Sequence, residues 1–203
     1  MIDVHDDDGL RLVTLNRPDK ANSLTAAMLS ELRDVFSESQ SCRALILTGA
    51  GTKVFSAGAD LEEAHAGLAT SPLWEEVSGA LAALPCLTIA ALNGTLAGGA
   101  FGMALACDIR LSVPRARFFY PVAKLGFLPQ PSDPVRLSAL IGPARSKLIL
   151  LAAEKLGADE ALSYGLIDRI CAPDALLPDA SALTTASLNG DPATLHKIKS
   201  MIP

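Results

Sequence analysis

The chain has 203 residues, half of them hydrophobic, with 17 Lys and Arg against 22 Asp and Glu for a net charge of −5. That length suits one domain with a sizeable core, and the apolar fraction excludes a globally disordered chain. The acidic balance and 4% aromatic content exclude a general nucleic-acid binder, which needs clustered cations and stacking surfaces.

Ile2 to His5 and Leu10 to Leu15 read as two short strands joined by the turn signal Asp6-Asp7-Asp8-Gly9. Asn16-Arg17-Pro18-Asp19 breaks the chain. From Ser23 to Phe36 the residues Leu24, Met28, Leu32 and Val35 recur at helical spacing, with Ser23 or Asn22 as the cap. Ala44-Leu45-Ile46-Leu47 is a short apolar run that marks a buried strand and ends in the loop Thr48-Gly49-Ala50-Gly51. Leu87 to Leu92 is a second buried strand, entered through Pro85 and left through Asn93-Gly94. Small residues follow at 97–100, then a helical run from Met103 to Ala106, and Asp108 to Val113 alternates like a strand. Beyond Pro143 the pattern is mostly helical, with helices expected near Ala144–Ala152, Ala158–Tyr164 and Pro192–Ser200. Buried strands alternating with helices predict an α/β fold with largely parallel sheets, and no low-complexity linker divides residues 1–203.

Cys42, Cys86, Cys107 and Cys171 stand far apart with no CxxC pair, which reads as buried small apolar residues in a reducing compartment. No metal-ligand spacing is present. No apolar run approaches the roughly 20 residues that span a bilayer. The N-terminus, Met-Ile-Asp-Val-His-Asp-Asp-Asp, is acidic where a signal peptide is basic. The expected location is cytoplasmic, with no membrane partner.

Three Gly-bearing loops could approach a ligand: Gly49-Ala50-Gly51, Ser56-Ala57-Gly58-Ala59-Asp60, and Gly98-Gly99-Ala100-Phe101-Gly102. The first is no dinucleotide fingerprint, since Val54 stands where the third glycine belongs, and no phosphate-loop motif is present. The third opens a helix, where backbone N–H groups lack intrahelical partners and face the positive end of the dipole. Two N–H groups from separate loops converging on one carbonyl oxygen make an oxyanion hole. The same pattern also fits tight packing of Gly and Ala between helix and sheet, and the residues alone favour packing.

Taken together, Leu15-Asn16-Arg17-Pro18-Asp19-Lys20-Ala21-Asn22-Ser23-Leu24, the stretches Leu45–Gly51 and Phe55–Leu61, Ile89–Gly94 with Ala97-Gly98-Gly99, and Ala104–Ile109 resemble the signatures of the enoyl-CoA hydratase/isomerase, or crotonase, family. Order and spacing match over nearly the whole chain. The resemblance implies a crotonase-like spiral of ββα units over 1–142 with a mostly helical C-terminal part over 143–203. It also implies an acyl-CoA substrate, with coenzyme A bound as part of it, and homotrimers or hexamers. By position, the oxyanion donors are the N–H groups of Ala59 and Gly99. Ala57, Asp60 and Leu61 line the bent CoA, and Lys20 and Ala21 lie near its adenine and phosphate end. Leu96, Phe101, Val122 and Phe127 suggest an apolar acyl group.

The chain departs from the family at its acid/base positions. Hydration needs an acid and a base that hold one water between them. The two positions where hydratases of the family carry Glu are Gly102 and Val122 here, and the carboxylate position of many isomerases is Gln130. An amide does not act as a base at neutral pH. Asp133 is the candidate substitute; it either reaches the pocket or caps a helix starting at Pro134, the commoner role for Asp before Pro. His65 lies in a segment expected over the acyl pocket, and Tyr120 could donate a hydrogen bond or proton, although an exposed surface His and a core Tyr are the commoner cases. Glu62 and Glu63 read as solvated charges. The stretch from Asp60 to Pro85 is shorter than in typical hydratases, and the chain stops at Ile202-Pro203 where family members continue. The expected activity is isomerase-like rather than classical hydration; the alternatives are a non-catalytic acyl-CoA-binding protein and a decarboxylase or thioester hydrolase.

Overall fold

The computed structural model describes residues 1–202; Pro203, at which the sequence ends, lies outside the described residues. Strands β1 (Ile2–Asp7) and β2 (Leu10–Leu15) pair antiparallel from Ile2 opposite Leu15 to Asp7 opposite Leu10. Only Asp8 and Gly9 form the turn, both at positive φ (43° and 88°). Such a two-residue turn matches the right-handed twist of its strands, so β1 runs two residues further than the sequence pattern suggests.

Helix α1 (Ala26–Glu38) buries Met28, Leu29, Leu32 and Phe36 on one face. Its cap is Thr25, whose Oγ1 accepts from Met28 N at 3.2 Å, and not Ser23 or Asn22. Asn22 is committed elsewhere. Fully buried, it donates to the carbonyls of Ala50 and Val54, each at 2.9 Å, and accepts from Arg17 N at 2.9 Å. Ser23 Oγ accepts from the Arg17 guanidinium at 3.0 Å.

Three further turns of chain follow one pattern. The first holds β3 (Ala44–Gly49), β4 (Val54–Ser56), α2 (Leu61–His65) and α3 (Leu73–Ala82). The second holds β5 (Leu87–Leu92), β6 (Thr95–Ala97) and α4 (Phe101–Ala106), and the third β7 (Ile109–Ser112), β8 (Arg117–Phe119), α5 (Val122–Leu125) and α6 (Ser132–Leu150). The chain ends through β9 (Leu156–Gly157), α7 (Ala158–Tyr164), β10 (Arg169–Ile170), α8 (Leu176–Asn189) and α9 (Pro192–Ser200). Each turn adds one strand to a six-stranded sheet, ordered β1-β2-β3-β5-β7-β10, and one to a four-stranded sheet, ordered β4-β6-β8-β9. From β2 to β10 the larger sheet is parallel. This is the expected spiral of ββα units.

Helices cover the parallel strands: β3 is buried at all six positions, β5 is buried from Thr88 to Leu92, and α8 lies against β3, β5 and β7. The smaller sheet has strands of two or three residues. Strands that short show no alternation, so the sequence pattern leaves them unread. It also passes over α3 and α8. The helix expected at Ala144–Ala152 is the second half of α6, which bends at Gly142 (φ 80°, ψ 162°) before Pro143. The proposed division at 142/143 therefore falls at a kink inside one helical run. Cys86, Cys107 and Cys171 are buried, Cys42 is half-buried, and all four are free. No described helix is long and apolar enough to cross a membrane.

Asn22 is the polar pin of this arrangement. Asn22→Ala strands Ala50 O and the Arg17 N–H and leaves Val54 O only the longer bond from Asn93 at 3.3 Å. At roughly 1–3 kcal/mol per unsatisfied group a loss of about 3 kcal/mol is expected, a fall in Tm on the order of 10 °C by calorimetry. An unchanged Tm contradicts that role.

Candidate active site

Parallel pairing of β4 with β6 brings their exit loops to the same edge of the smaller sheet. The first loop is Ala57-Gly58-Ala59; the second is a single 3₁₀ turn, Gly98–Ala100, that runs directly into α4. Gly58 has φ +88°, and a Cβ there would stand 3.0 Å from Ala97 O and 3.3 Å from Gly99 N. Leu24 grips the first loop as a parallel bridge, donating to Gly58 O at 2.8 Å and accepting from Asp60 N at 2.9 Å. In such a bridge the N–H of Ala59 points away from Leu24. The Gly99 N–H lies in the opening turn of its helix, where no carbonyl of that helix can reach it.

A cavity of about 170 Å³ lies between these loops and the segment after β8. Ala57, Ala59, Gly98 and Gly99 form one wall, Tyr120, Val122, Phe127 and Gln130 the other, and Leu61, 77% exposed, stands at the mouth. The Trp74 ring lies against Gly99, and its Nε1 donates to Leu68 O at 2.8 Å. The wall is almost wholly apolar.

The structure thus brings Ala57, Ala59, Leu61, Gly99, Val122, Phe127 and Gln130 to one cavity. Other expected residues, Leu96, Phe101, Gly102 and Asp60 among them, do not line it. Leu96 is buried in β6 between β4 and β8, facing the core. Phe101 is fully buried, stacked on Tyr120 at 5.3 Å. Gly102 faces Asp133. The Asp60 side chain cannot reach into the cavity, because Oδ1 caps α2 through the N–H groups of Glu62 and Glu63 and Oδ2 accepts from Arg17 at 2.8 Å. The Arg17 guanidinium holds that carboxyl below its ordinary range. Ala21, at φ +53°, accepts from Ala57 N at 3.0 Å, which sets the exposed Lys20 beside the first loop. His65 is exposed and outside the lining, as is Glu62. Glu63 is no free charge, since its Oε2 accepts from Ala26 N at 2.6 Å and ties α2 to the start of α1.

Asp133 does not cap a helix at Pro134. The helix begins at Ser132, and Asp133, with no exposed surface, turns inward. Its Oδ2 accepts from the Tyr120 hydroxyl at 2.8 Å, and Oδ1 has no partner. A Cβ on Gly102 would stand 3.0 Å from Oδ1 and 3.5 Å from Oδ2. The carboxylate from α6 therefore occupies the space in which a side chain on α4 would begin. No local pattern announces this, because α4 and α6 meet only in the folded chain. Burial raises the Asp133 carboxyl from 3.8 to about 6, against the opposing pull of the Tyr120 hydrogen bond and Arg136 and with a small addition from Glu75. Glu75 is itself held by the N–H and hydroxyl of Ser132. Burial and the Asp133 charge drive the Tyr120 phenol well above its ordinary range, so it stays a donor.

The sequence matches the family model described as enoyl-CoA hydratase/isomerase over residues 5–202. It is 35% identical over 199 residues to the short-chain-enoyl-CoA hydratase of Clostridium acetobutylicum, covering 94% of this chain and 76% of that one. It is 35% identical over 196 residues to the carnitinyl-CoA dehydratase of Escherichia coli K12, covering 92% and 74%. Among solved structures, the enoyl-CoA hydratase from Bacillus anthracis superposes with a TM-score of 0.91 at 31% identity, over 99% of this chain and 81% of that one.

The raised Asp133 carboxyl makes stability depend on pH in a stated direction. Between about pH 4 and 6 the folded chain holds a proton that the unfolded chain has lost, so stability falls as pH rises through this window. Above pH 6 the charged, buried form costs about 3 kcal/mol. Asp133→Asn, which keeps an oxygen for Tyr120 to bond, should raise Tm at pH 7.5 and match the parent near pH 4 in thermal melts. Equal Tm values at both pH values would contradict the assignment.

Proposed function

The chain belongs to the enoyl-CoA hydratase/isomerase family, and from that premise we propose that it transforms an acyl-CoA thioester through the enolate, with double-bond isomerisation as the favoured reaction. The observation that carries this reading is the pair of loops at 57–59 and 98–99 on one wall of an apolar cavity. A proton lost from the carbon beside a thioester leaves charge on the carbonyl oxygen. In the proposal the N–H groups of Ala59 and Gly99 hold that oxygen, and one such donor is worth about 3 kcal/mol in the transition state. The acyl group lies toward Val122 and Phe127, and CoA passes Ala57 and Leu61 toward Ala21 and Lys20. Asp60 supports the loop rather than touching ligand, because its carboxylate is taken by Arg17 and the start of α2.

Isomerisation is favoured because it asks for a single proton carrier. The group takes a proton from C2 of a 3-enoyl thioester and returns it at C4, moving the double bond into conjugation. Hydration asks for two carriers on one water, and Gly102, Val122 and Gln130 carry none. We assign Asp133 as the acid/base. A second reading, an acyl-CoA-binding protein without turnover, draws support from the same residue, since Asp133 has no surface open to the cavity. The hydratase and dehydratase names of the relatives make crotonyl-CoA the necessary control substrate.

Calorimetric titration with CoA, followed by ultraviolet assays on a 3-enoyl-CoA and on crotonyl-CoA, separates these readings. Conversion of the 3-enoyl thioester with slow or no loss of crotonyl-CoA is expected. Asp133→Asn should cut isomerisation about 10²–10⁴-fold with CoA affinity retained. Rapid hydration, or turnover unchanged in Asp133→Asn, would overturn the assignment; binding without turnover of either substrate would favour the binding protein.

A further inference from the structure

The cavity wall and the buried carboxylate are separated by one side chain. Among the described lining residues, Tyr120 is the one titratable group; the others are aliphatic or aromatic, the Trp74 indole, which donates to Leu68 O, and the amide of Gln130. The Tyr120 ring is held from behind by the Phe101 stack at 5.3 Å, with the two planes 21° apart. Its hydroxyl donates to Asp133 Oδ2 at 2.8 Å. Asp133 is fixed in its turn by its own N–H, which donates to Gln130 O at 3.0 Å, and by the space left at Gly102. A proton that leaves the cavity for this carboxylate therefore meets the phenol first.

We propose that Tyr120 and Asp133 form a proton relay in which the phenol oxygen touches substrate and the carboxylate acts through it, a deepening that rests on the enolate reading above. In the forward step the C2–H bond breaks, its proton bonds to Tyr120 Oη, and the phenol proton passes to Asp133 Oδ2. The electron pair moves into the enolate, whose oxygen rests on the two N–H groups. In the return step the carboxylic proton goes back to the phenol oxygen and the phenol proton goes to C4. No oxidant, water or second base is consumed, and no free phenolate accumulates. The groups facing the carboxylate set when it can accept: Tyr120 from beyond β8, Glu75 from α3, and Arg136 from the next turn of α6. Ser78 of α3, which also borders the Gly102 space, is neutral and adds no charge. By this account Tyr120 is a catalytic residue and Asp133 a positioning and proton-accepting residue behind it.

Exchange of the C2 hydrogens of butyryl-CoA in deuterated water, followed by proton NMR, reads the forward step without any double bond to move. The parent protein should exchange, with a rate that rises through the Asp133 titration. Tyr120→Phe keeps the ring and its stack and should lose exchange at least about 100-fold, with CoA affinity preserved and a Tm lowered at pH 7.5, where Asp133 Oδ2 loses its partner, but less so near pH 4. Asp133→Asn, which preserves packing, should lose exchange to a similar extent and flatten what remains of the pH profile. Exchange by Tyr120→Phe within threefold of the parent would overturn the relay and leave the enolate reading standing. Rapid exchange in Asp133→Asn with an unaltered pH profile would overturn it as well. No exchange by the parent protein at all would overturn the relay and the enolate reading together.

Discussion

A side chain at position 58 would be strained, both by its φ of +88° and by its neighbours. The backbone there passes so close to Ala97 and Gly99 that a Cβ would press on a carbonyl oxygen and an amide nitrogen, and the wall of the cavity depends on that approach. Leu24 clamps one side of the loop through two backbone hydrogen bonds. Arg17 and Asp60 close it on another, and Asn22 fastens the turn before Leu24 to the loop after β3. Short strands in the smaller sheet suit this design, since their work is to deliver two loops to one edge rather than to build area. The larger sheet and the helices around it supply the burial that holds those loops rigid.

The second constraint is electrostatic. An ionisable group with no exposed surface and an unpartnered oxygen destabilises the fold at neutral pH. A buried carboxylate separated from the cavity by one phenol is the arrangement on which the proposed proton transfer rests. Gly102 and Asp133 are coupled by volume: a side chain on α4 would meet Asp133 Oδ1 at 3.0 Å. A side chain at position 102 would therefore have to displace the Asp133 carboxylate.

Much of this was legible in the residues. The buried strands β3 and β5, the helices α7 and α9 and the hairpin carry strong local signals, and four short motifs in register point to the fold without any contact map. The loops at 57–59 and 98–99 were legible as small-residue turns following strands. What the sequence hid was tertiary. Asp133 before Pro134 has the local look of a helix cap, and only the packing of α4 against α6 turns it inward. Glu63 looks like a surface charge until α2 is seen beside the start of α1. Leu96 and Phe101 are apolar and near the motif, but the pleat of β6 and the rotation of α4 aim them into the core.

The central claim is that the backbone N–H groups of Ala59 and Gly99 polarise a thioester carbonyl. The measurement that reads this most directly is the infrared carbonyl stretch of crotonyl-CoA, isotope-labelled at the thioester carbon, free and bound to the protein. The account predicts a shift to lower frequency on binding, as two donors draw electron density onto the oxygen. A bound thioester whose carbonyl frequency is unchanged would contradict it.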